Sequence, residues 1–272
     1  MRARGSAVQV CREVERTERD LFLSGKRQGL RVDDIGGAVL FSCRQVPAAM
    51  FNYATGISSR PADLNGLLDE IEGFYARLNL PPRIAITPLS RPIDLRSRLL
   101  KRGYAESSTS DVMIVESLAA RRRPRTGVKV RPLRRGQVEA FSTIFNTAFK
   151  IRASLRGAFA RFWRSAVFES DPRLRIYLAT LEDKPAGIGM IFFGEKAAGL
   201  YSVATQPGRR GRGVATDLVS QAVQDAFNSE AMFIYLYASR RSRARTMYRS
   251  LGFTPKYTRS VYSLHRSINR VA

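Results

Sequence analysis

The sequence predicts an α/β (α+β) protein of two related domains, each a mixed, mostly antiparallel sheet flanked by helices. Three observations lead to this fold class. In the second half of the 272-residue chain, short β-branched and aromatic runs alternate with amphipathic segments. The end of the first half repeats a similar order, and residue pairs recur along both halves at a nearly constant separation.

The second half predicts the element order β-α-α-β-β-β-loop-α-β-α-β, with turn residues separating neighbouring elements. Apolar residues at helical spacing predict helices over 137–149, 158–168, 214–227 and 241–250. Alternating or continuous apolar runs predict strands over 128–132, 174–180, 186–193, 198–204, 232–237 and 257–264.

The first half predicts strands over 48–54, 83–86 and 111–115, with helices over 63–78 and 95–102. Matching residues then pair in order: Tyr53 with Tyr201, Asp63 with Asp217, Ile84 with Ile234, and Gly103 with Gly252. Chance likeness between two αβ units is the alternative to duplication. The two members of the second pair are farther apart in sequence than those of the first pair. This difference predicts that the first copy is degenerate and has lost residues from the loop between its strand and its helix.

The chain carries 46 Lys and Arg against 23 Asp and Glu, a net charge of +23, and most of the excess is arginine in the second half. Such charge favours an anionic partner, although arginines scattered over solvated faces are an equally ordinary explanation. One histidine, His265, and two cysteines, Cys11 and Cys43, exclude a His/Cys zinc cluster and a disulfide framework.

Neither an apolar signal core near the start nor a run of about 18 apolar residues occurs. We therefore expect a cytoplasmic protein without a membrane span. The clearest boundary is the Arg- and Pro-rich segment 121–127, which divides the chain into domains 1–120 and 128–272. This segment is expected to be an exposed linker, and a basic run that binds nucleic acid is the alternative.

The loop over 206–213 has the composition of an anion cradle. Gly208, Gly211 and Gly213 permit close approach of the backbone, and the helix that follows presents free N–H groups at the positive end of its dipole. Arg209, Arg210 and Arg212 add charge around the same spot. The loop lacks the Gly-Lys-Ser/Thr of a nucleotide P-loop.

Two motifs resemble those of the GNAT acetyltransferase superfamily. The run Arg210-Gly-Arg-Gly-Val-Ala215 resembles its Arg/Gln-x-x-Gly-x-Gly/Ala signature. The run Ala244-Arg-Thr-Met-Tyr-Arg-Ser-Leu-Gly-Phe253 is similar to its Ala-x-x-x-Tyr-x-x-x-Gly-Phe helix. The resemblance covers 128–265, and the first half resembles the degenerate partner domain of tandem GNAT proteins, which implies that it binds no cofactor.

By this resemblance the chain is an N-acetyltransferase with acetyl-CoA as co-substrate and no metal. Backbone N–H groups of the loop would hold the pyrophosphate, and the strand before it would pair with the pantetheine. The Val203 N–H would polarise the thioester carbonyl, and Tyr248 would protonate the leaving thiolate. The implied contacts are Val203, Ala204, Thr205, Arg209, Arg210, Gly211, Arg212, Gly213, Val214, Ala215 and Tyr248.

Glu195 is the carboxylate near the cofactor strand and thus the candidate general base. The acceptor is expected to be a primary amine of a small molecule or peptide. By the same resemblance, the loop between the first two helices of the second half covers the acceptor pocket. Here that loop, 150–156, is basic, so it favours an acidic, phosphorylated or nucleic-acid-linked acceptor, or it is simply solvated. An aminoacyl-tRNA-dependent transferase and a non-catalytic basic binding protein on the same fold are the alternatives, so nucleic acid stays open as a less favoured partner. The oligomeric state also stays open.

Overall fold

The computed structural model describes residues 5–117, 127–168, 171–240 and 242–264. The proposed linker 121–127, apart from Gly127, and His265 lie outside these residues. The helices are α1 Ala7–Ser24, α2 Leu64–Arg77, α3 Leu95–Lys101, α4 Val138–Ala148, α5 Ala153–Phe168, α6 Val214–Asn228 and α7 Ala244–Ser250. The strands are β1 Leu30–Asp34, β2 Val39–Cys43, β3 Tyr53–Thr55, β4 Arg83–Ile86, β5 Ala105–Val115, β6 Val128–Pro132, β7 Leu174–Leu181, β8 Lys184–Phe193, β9 Ala197–Thr205, β10 Phe233–Ser239 and β11 Thr254–Ser263.

The eleven strands of the described residues form one sheet in the order β1-β2-β3-β4-β11-β5-β10-β9-β8-β7-β6. Two pairs, β3 with β4 and β9 with β10, are parallel, and the others are antiparallel. The predicted fold class, a mixed and mostly antiparallel sheet flanked by helices, is therefore confirmed.

The final strands of the two halves are exchanged in this sheet. Strand β5 pairs with β10 of the second half, and β11 lies between β4 and β5 of the first half. Each half thus supplies a central strand to the other, which joins them through backbone hydrogen bonds rather than side-chain contacts alone. The order of elements is otherwise repeated. In each half, one long helix lies in sequence between the two parallel strands: α2 between β3 and β4, and α6 between β9 and β10.

Helix α1 was not anticipated from the sequence, although its start is well defined. The Ser6 side chain accepts from the Gln9 N–H, and the Gln9 side chain accepts from the Ser6 N–H, which forms a capping box. Its buried face, including Val10, Val14 and Phe22, packs on the sheet near β9 and β11. The helix belongs to the first half of the chain but covers strands of the second.

Other sequence predictions for the first half need correction. Strands β1 and β2 were missed, and the strand predicted over 48–54 is a short 3-10 helix at Ala49–Phe51 followed by β3. The expected deletion is wrong as well, because the connections after β3 and β9, residues 56–63 and 206–213, are equal in length. The first of them simply lacks the glycine and arginine pattern.

Helix α6 lies close to the sheet because β8 carries glycine beneath it. A Cβ at Gly187 would lie 2.6 Å from Val214 Cγ1, and one at Gly189 would overlap the Leu218 side chain. Both neighbours are fully buried on α6. This contact holds the helix and the loop before it against the sheet. No helix in the described part of the chain is long and apolar enough to cross a membrane.

We expect Gly189→Ala to lower the free energy of unfolding by about 1–3 kcal/mol, since Leu218 must move to admit the methyl group. Urea denaturation measures the change. Gly66→Ala is the matched control, because Gly66 is an exposed α2 position whose Cβ would meet nothing within 4 Å. That variant should gain up to about 1 kcal/mol from helix propensity. Equal effects of the two substitutions would contradict the close-packing explanation.

Candidate active site

The parallel strands β9 and β10 separate partway along their length. They pair only between Ala197–Gly199 and Phe233–Tyr235, although β9 continues to Thr205 and β10 to Ser239. A bulge in β9 sets Ser202 and Val203 opposite the single residue Gly189, and Ser202 takes a left-handed φ of 54°. The open edge of β9 beyond Gly199 leaves main-chain groups free to pair with an extended ligand.

The loop that links β9 to α6 forms a backbone cradle. Gly211 and Gly213 have φ values of 78° and 85°, and Gly213 is the N-cap of α6. The N–H groups of Gly211, Arg212 and Gly213 donate to no acceptor among the described residues. The first N–H groups of α6 also lack intrahelical partners. A run of free donors therefore faces outward at the positive end of the α6 dipole.

Side chains of the loop brace this cradle. Arg209 donates to the Leu181 carbonyl at 3.3 Å and Arg210 to the Thr205 carbonyl at 3.3 Å. Arg212 forms an ion pair with Glu182 on the turn between β7 and β8. The three arginines thus hold the loop to the sheet edge while leaving a positive surround for an anion.

Tyr248 projects from α7 into the core on the α6 face of the sheet. Its ring packs edge-on against Phe253 at 5.9 Å and lies in the cluster that contains Leu236 and Ala238 of β10. Burial raises the pKa of Tyr248 to about 12. The phenol is therefore protonated at neutral pH, as a proton donor must be.

Helix α7 is anchored by a carboxylate from the first half. Asp111 on β5 forms ion pairs with Arg245 of α7 at 2.6 Å and with Arg240 at 2.9 Å, just after β10. Asp111 is almost fully buried, whereas the Arg240 side chain is 58% exposed, so burial shields the carboxylate and the Arg245 pair more than the Arg240 pair. The exchanged strand β5 thereby fixes the helix that carries Tyr248.

A cavity of about 560 Å³ opens on the other face of the sheet, between the two halves. Residues of α1, α5 and strands from both halves, including β3, β4, β5, β9, β10 and β11, contribute to its walls. Tyr201, Ser202 and Tyr237 place it beside the separated strands. Phe22, Phe162, Trp163 and other apolar side chains make up most of the lining. A volume of this size suits a small-molecule ligand.

Two carboxylates line this cavity, those of Glu18 and Asp171, and the Glu18 side chain is almost fully buried. Glu18 of α1 lies near Tyr53, Tyr237 and Arg259. Burial raises the pKa of Glu18 above its usual value, while the Arg259 charge and hydrogen bonds from the two tyrosine hydroxyls oppose the rise. Glu18 can therefore exchange a proton closer to neutral pH than an exposed glutamate can.

The hydroxyls of Tyr201 and Tyr235 hydrogen-bond each other across the point where β9 and β10 separate. Gly199 makes this possible, because a Cβ there would overlap the Tyr201 ring. Burial raises the pKa values of both tyrosines well above 10. Neither hydroxyl ionises at neutral pH. The hydrogen-bonded pair therefore lies at the end of the gap between β9 and β10 without adding charge.

The structure brings most of the sequence candidates together and separates one. Val203 to Thr205 form the end of β9, the loop over 209–215 follows that strand, and Tyr248 belongs to the apolar cluster against which Val203 packs. Glu195 instead lies on the exposed turn between β8 and β9, where it pairs with Arg16 at 3.3 Å. Residues 150–156 do not line the cavity within the described chain, whereas Phe149 beside them does.

Glu18 is not among the residues predicted from the sequence, because helix α1 is not predicted either. The capping residues Ser6 and Gln9 and the apolar spacing of Val10, Val14 and Phe22 were the available signals. The sequence holds no signal that this helix would cover strands of the second half. The described residues contain no group of three or more His, Cys, Asp or Glu side chains placed to hold a metal ion.

Comparison with known proteins agrees with this geometry. Residues 138–253 match the model of the Acetyltransferase (GNAT) family, whose members use acetyl-CoA as co-substrate. A search of curated proteins gave no match to this sequence.

Solved structures resemble the chain over most of its length. A GCN5-related N-acetyltransferase from Kribbella flavida matches with a TM-score of 0.71 and 18% identity, over 94% of this chain and 96% of that one. Another from Sphaerobacter thermophilus matches with a TM-score of 0.63 and 19% identity, over 87% and 84%. A tandem GNAT protein from the clavulanic acid biosynthesis pathway matches with a TM-score of 0.56 and 12% identity, over 88% and 85%.

Identities this low show a shared fold only. The sequence likeness to the Acetyltransferase (GNAT) family is confined to residues 138–253, whereas the likeness in fold to solved GNAT structures extends over most of the chain.

Proposed function

We propose that this protein transfers the acetyl group of acetyl-CoA directly to a primary amine. The observation that carries the proposal is the free backbone cradle at residues 211–216, set at the end of a strand whose edge is open. The residues fit the co-substrate, because a Cβ at Gly208 or Gly211 would meet nothing within 4 Å, which leaves room for phosphate groups. The first half has no such glycine and arginine pattern, which supports a single cofactor site.

The chain's own groups can divide the work of transfer. N–H groups of Gly211 to Ala215 would bind the pyrophosphate, with Arg209 and Arg212 adding charge, whereas the Arg210 N–H already donates to the Pro207 carbonyl. Main-chain groups of Val203, Ala204 and Thr205 would align the pantetheine, and the Val203 N–H would polarise the thioester carbonyl. The amine nitrogen attacks that carbonyl carbon, the C–S bond breaks, and Tyr248 gives its proton to the departing thiolate sulfur.

The amine must also lose a proton, and we assign this step to Glu18 rather than to Glu195. Glu18 lines the cavity that holds Tyr201 and Ser202 of β9, whereas Glu195 is solvent-exposed at the other end of that strand. A carboxylate with a raised pKa is also the stronger base. In this scheme the first half completes the active site of the second.

Calorimetric titration with CoA tests the cofactor site. We expect Gly211→Val to weaken CoA binding at least 10-fold, because φ at residue 211 is 78° and a β-branched residue strains that conformation. Gly208→Ala is the control within the same loop. It has open space and no positive φ, so its affinity should match that of the unaltered protein. Absence of CoA binding by the unaltered protein at millimolar concentration would overturn the proposal.

A further inference from the structure

Two arginines line the cavity without a carboxylate partner within 4 Å among the described residues. Arg259 lies on β11 and Arg83 on the adjacent β4, where it pairs in register with Ser263. The other charged lining residues are Glu18 and Asp171, and Asp171 is occupied by a bidentate contact with Arg173 at 2.9 and 3.1 Å. With that carboxylate neutralised, the two arginines outweigh Glu18 by one positive charge.

Arg259 is flanked by two aromatic rings. Its guanidinium carbon lies 4.6 Å from the Tyr53 ring centre and 5.0 Å from that of Tyr237. These contacts fix the plane of the group but satisfy few of its N–H donors. Its Nε and Nη2 atoms have no hydrogen-bond partner in the described chain, and the same is true of Trp163 Nε1.

Every such unpartnered atom that belongs to a cavity-lining residue is therefore a donor. Buried donors without acceptors are costly, so a ligand that brings acceptor oxygens would bind with an advantage. The rest of the wall is apolar and aromatic, with Phe22, Phe51 and Phe162 among its members. A ligand that complements both features has an apolar body and an anionic head.

We propose that the acceptor is an amino acid in the broad sense, a primary amine on an apolar or aromatic body that also carries a carboxylate bound by Arg259, with Arg83 adding positive charge to the same cavity. The single excess positive charge matches a monoanionic carboxylate better than a phosphate dianion. The amine would then lie toward Glu18 and Ser202, on the side of the cavity next to the separated strands. This inference rests on the proposed acetyl transfer for the role of the amine, although the carboxylate site stands without it.

Binding of non-reactive probes tests the site independently of acetyl transfer. We expect 3-phenylpropanoate to bind the full chain 10- to 100-fold more tightly than 3-phenylpropan-1-ol, as a charge-assisted hydrogen bond would provide. Calorimetry measures both affinities. Equal affinities, tighter binding of the alcohol, or no binding of either probe at millimolar concentration would overturn the inference.

Substitutions of the two cavity arginines test which residue causes the preference for the carboxylate probe. Arg259→Met should remove the preference for the carboxylate probe, and Arg83→Gln should reduce it. Since β11 is central in the sheet, Arg259→Lys serves where Arg259→Met fails to fold, and it should keep a weakened preference because the charge remains. Arg131→Gln, an exposed change on β6 with the same loss of charge, is the control and should leave the preference intact. A preference that survives the loss of both cavity arginines would contradict the assignment.

Turnover separates this inference from the proposed function. With acetyl-CoA, 4-(aminomethyl)benzoate should give at least 10-fold higher kcat/KM than benzylamine, measured by thiol release. If the carboxylate probe binds but CoA does not, the acetyltransferase proposal fails and the carboxylate site remains. If CoA binds and benzylamine is acetylated as well as its carboxylate analogue, the enzyme stands and this inference fails.

Discussion

Tyr248→Phe should lower kcat by about 10²-fold or more while leaving the affinity for CoA unchanged. Loss of a positioned acid typically costs two to four orders of magnitude. The phenylalanine ring keeps the packing against Phe253, and the loop over 206–213 is untouched. Steady-state kinetics and calorimetric titration with CoA measure the two quantities.

The alkaline side of the pH profile sharpens this test. Because burial raises the pKa of Tyr248 to about 12, the phenol stays protonated and able to donate throughout the neutral range. Activity should therefore not fall from ionisation of Tyr248 until the pH approaches that value. A fall nearer pH 9 that disappears in Tyr248→Phe would contradict the buried environment seen here.

Tyr75→Phe is the control for removal of a buried phenol. The Tyr75 hydroxyl donates to the Phe41 carbonyl at 2.9 Å in the core of the first half, away from the cavity. Its loss should cost about 1 kcal/mol of stability and leave kcat unchanged. If Tyr248→Phe behaves in the same way, with kcat within twofold of the unaltered protein, Tyr248 is a packing residue only.

Glu18→Gln should lower kcat by about 10²- to 10⁴-fold with little change in CoA affinity, since the amide cannot accept the amine proton. Glu15→Gln is a closely matched control. Glu15 lies one turn earlier on α1, its pKa is also raised by burial, and it accepts a hydrogen bond from Thr87 at 2.8 Å. It does not line the cavity, so its variant should retain activity.

The pH dependence follows from the direction of the shift. The pKa of Glu18 is raised above 4.5, so the carboxyl is protonated and inactive at acidic pH and becomes a base as the pH rises through its shifted pKa. Activity should increase as the pH rises over that window. The Glu18→Gln variant should lack this acidic limb of the pH–activity profile. The charges that face Glu18 are Arg259, which lowers its pKa, and Glu15, whose negative charge opposes a second one nearby. An unchanged acid limb in the variant would assign the base elsewhere.

Elements of the second half were predictable because their signals are local. Apolar alternation and turn residues placed β6 to β10 and α6 to within a few residues, and β4 was predicted with the bounds Arg83–Ile86. Helix α5 begins at Ala153, earlier than predicted. Its first turn is polar and basic, so the apolar spacing that predicts a helix begins only after it. Strand β5 extends from Ala105 through a run of serine and threonine whose polarity hid it.

The loop was predictable for the same reason. Glycines that need a left-handed φ, followed at once by a helix, form a cradle whatever the rest of the chain does. The residues of the cavity were not predictable from the sequence. They lie on four elements from both halves of the chain: Glu18, Tyr53, Tyr237 and Arg259. No sequence spacing relates them.

By itself, then, the sequence determined an αβ repeat and one anion cradle, since both depend on neighbouring residues. Only the tertiary structure decided that β5 and β11 change places, that α1 covers the second half, and that the first half contributes a carboxylate and part of the cavity wall. These outcomes depend on long-range strand pairing and packing, which hydrophobic periodicity cannot encode.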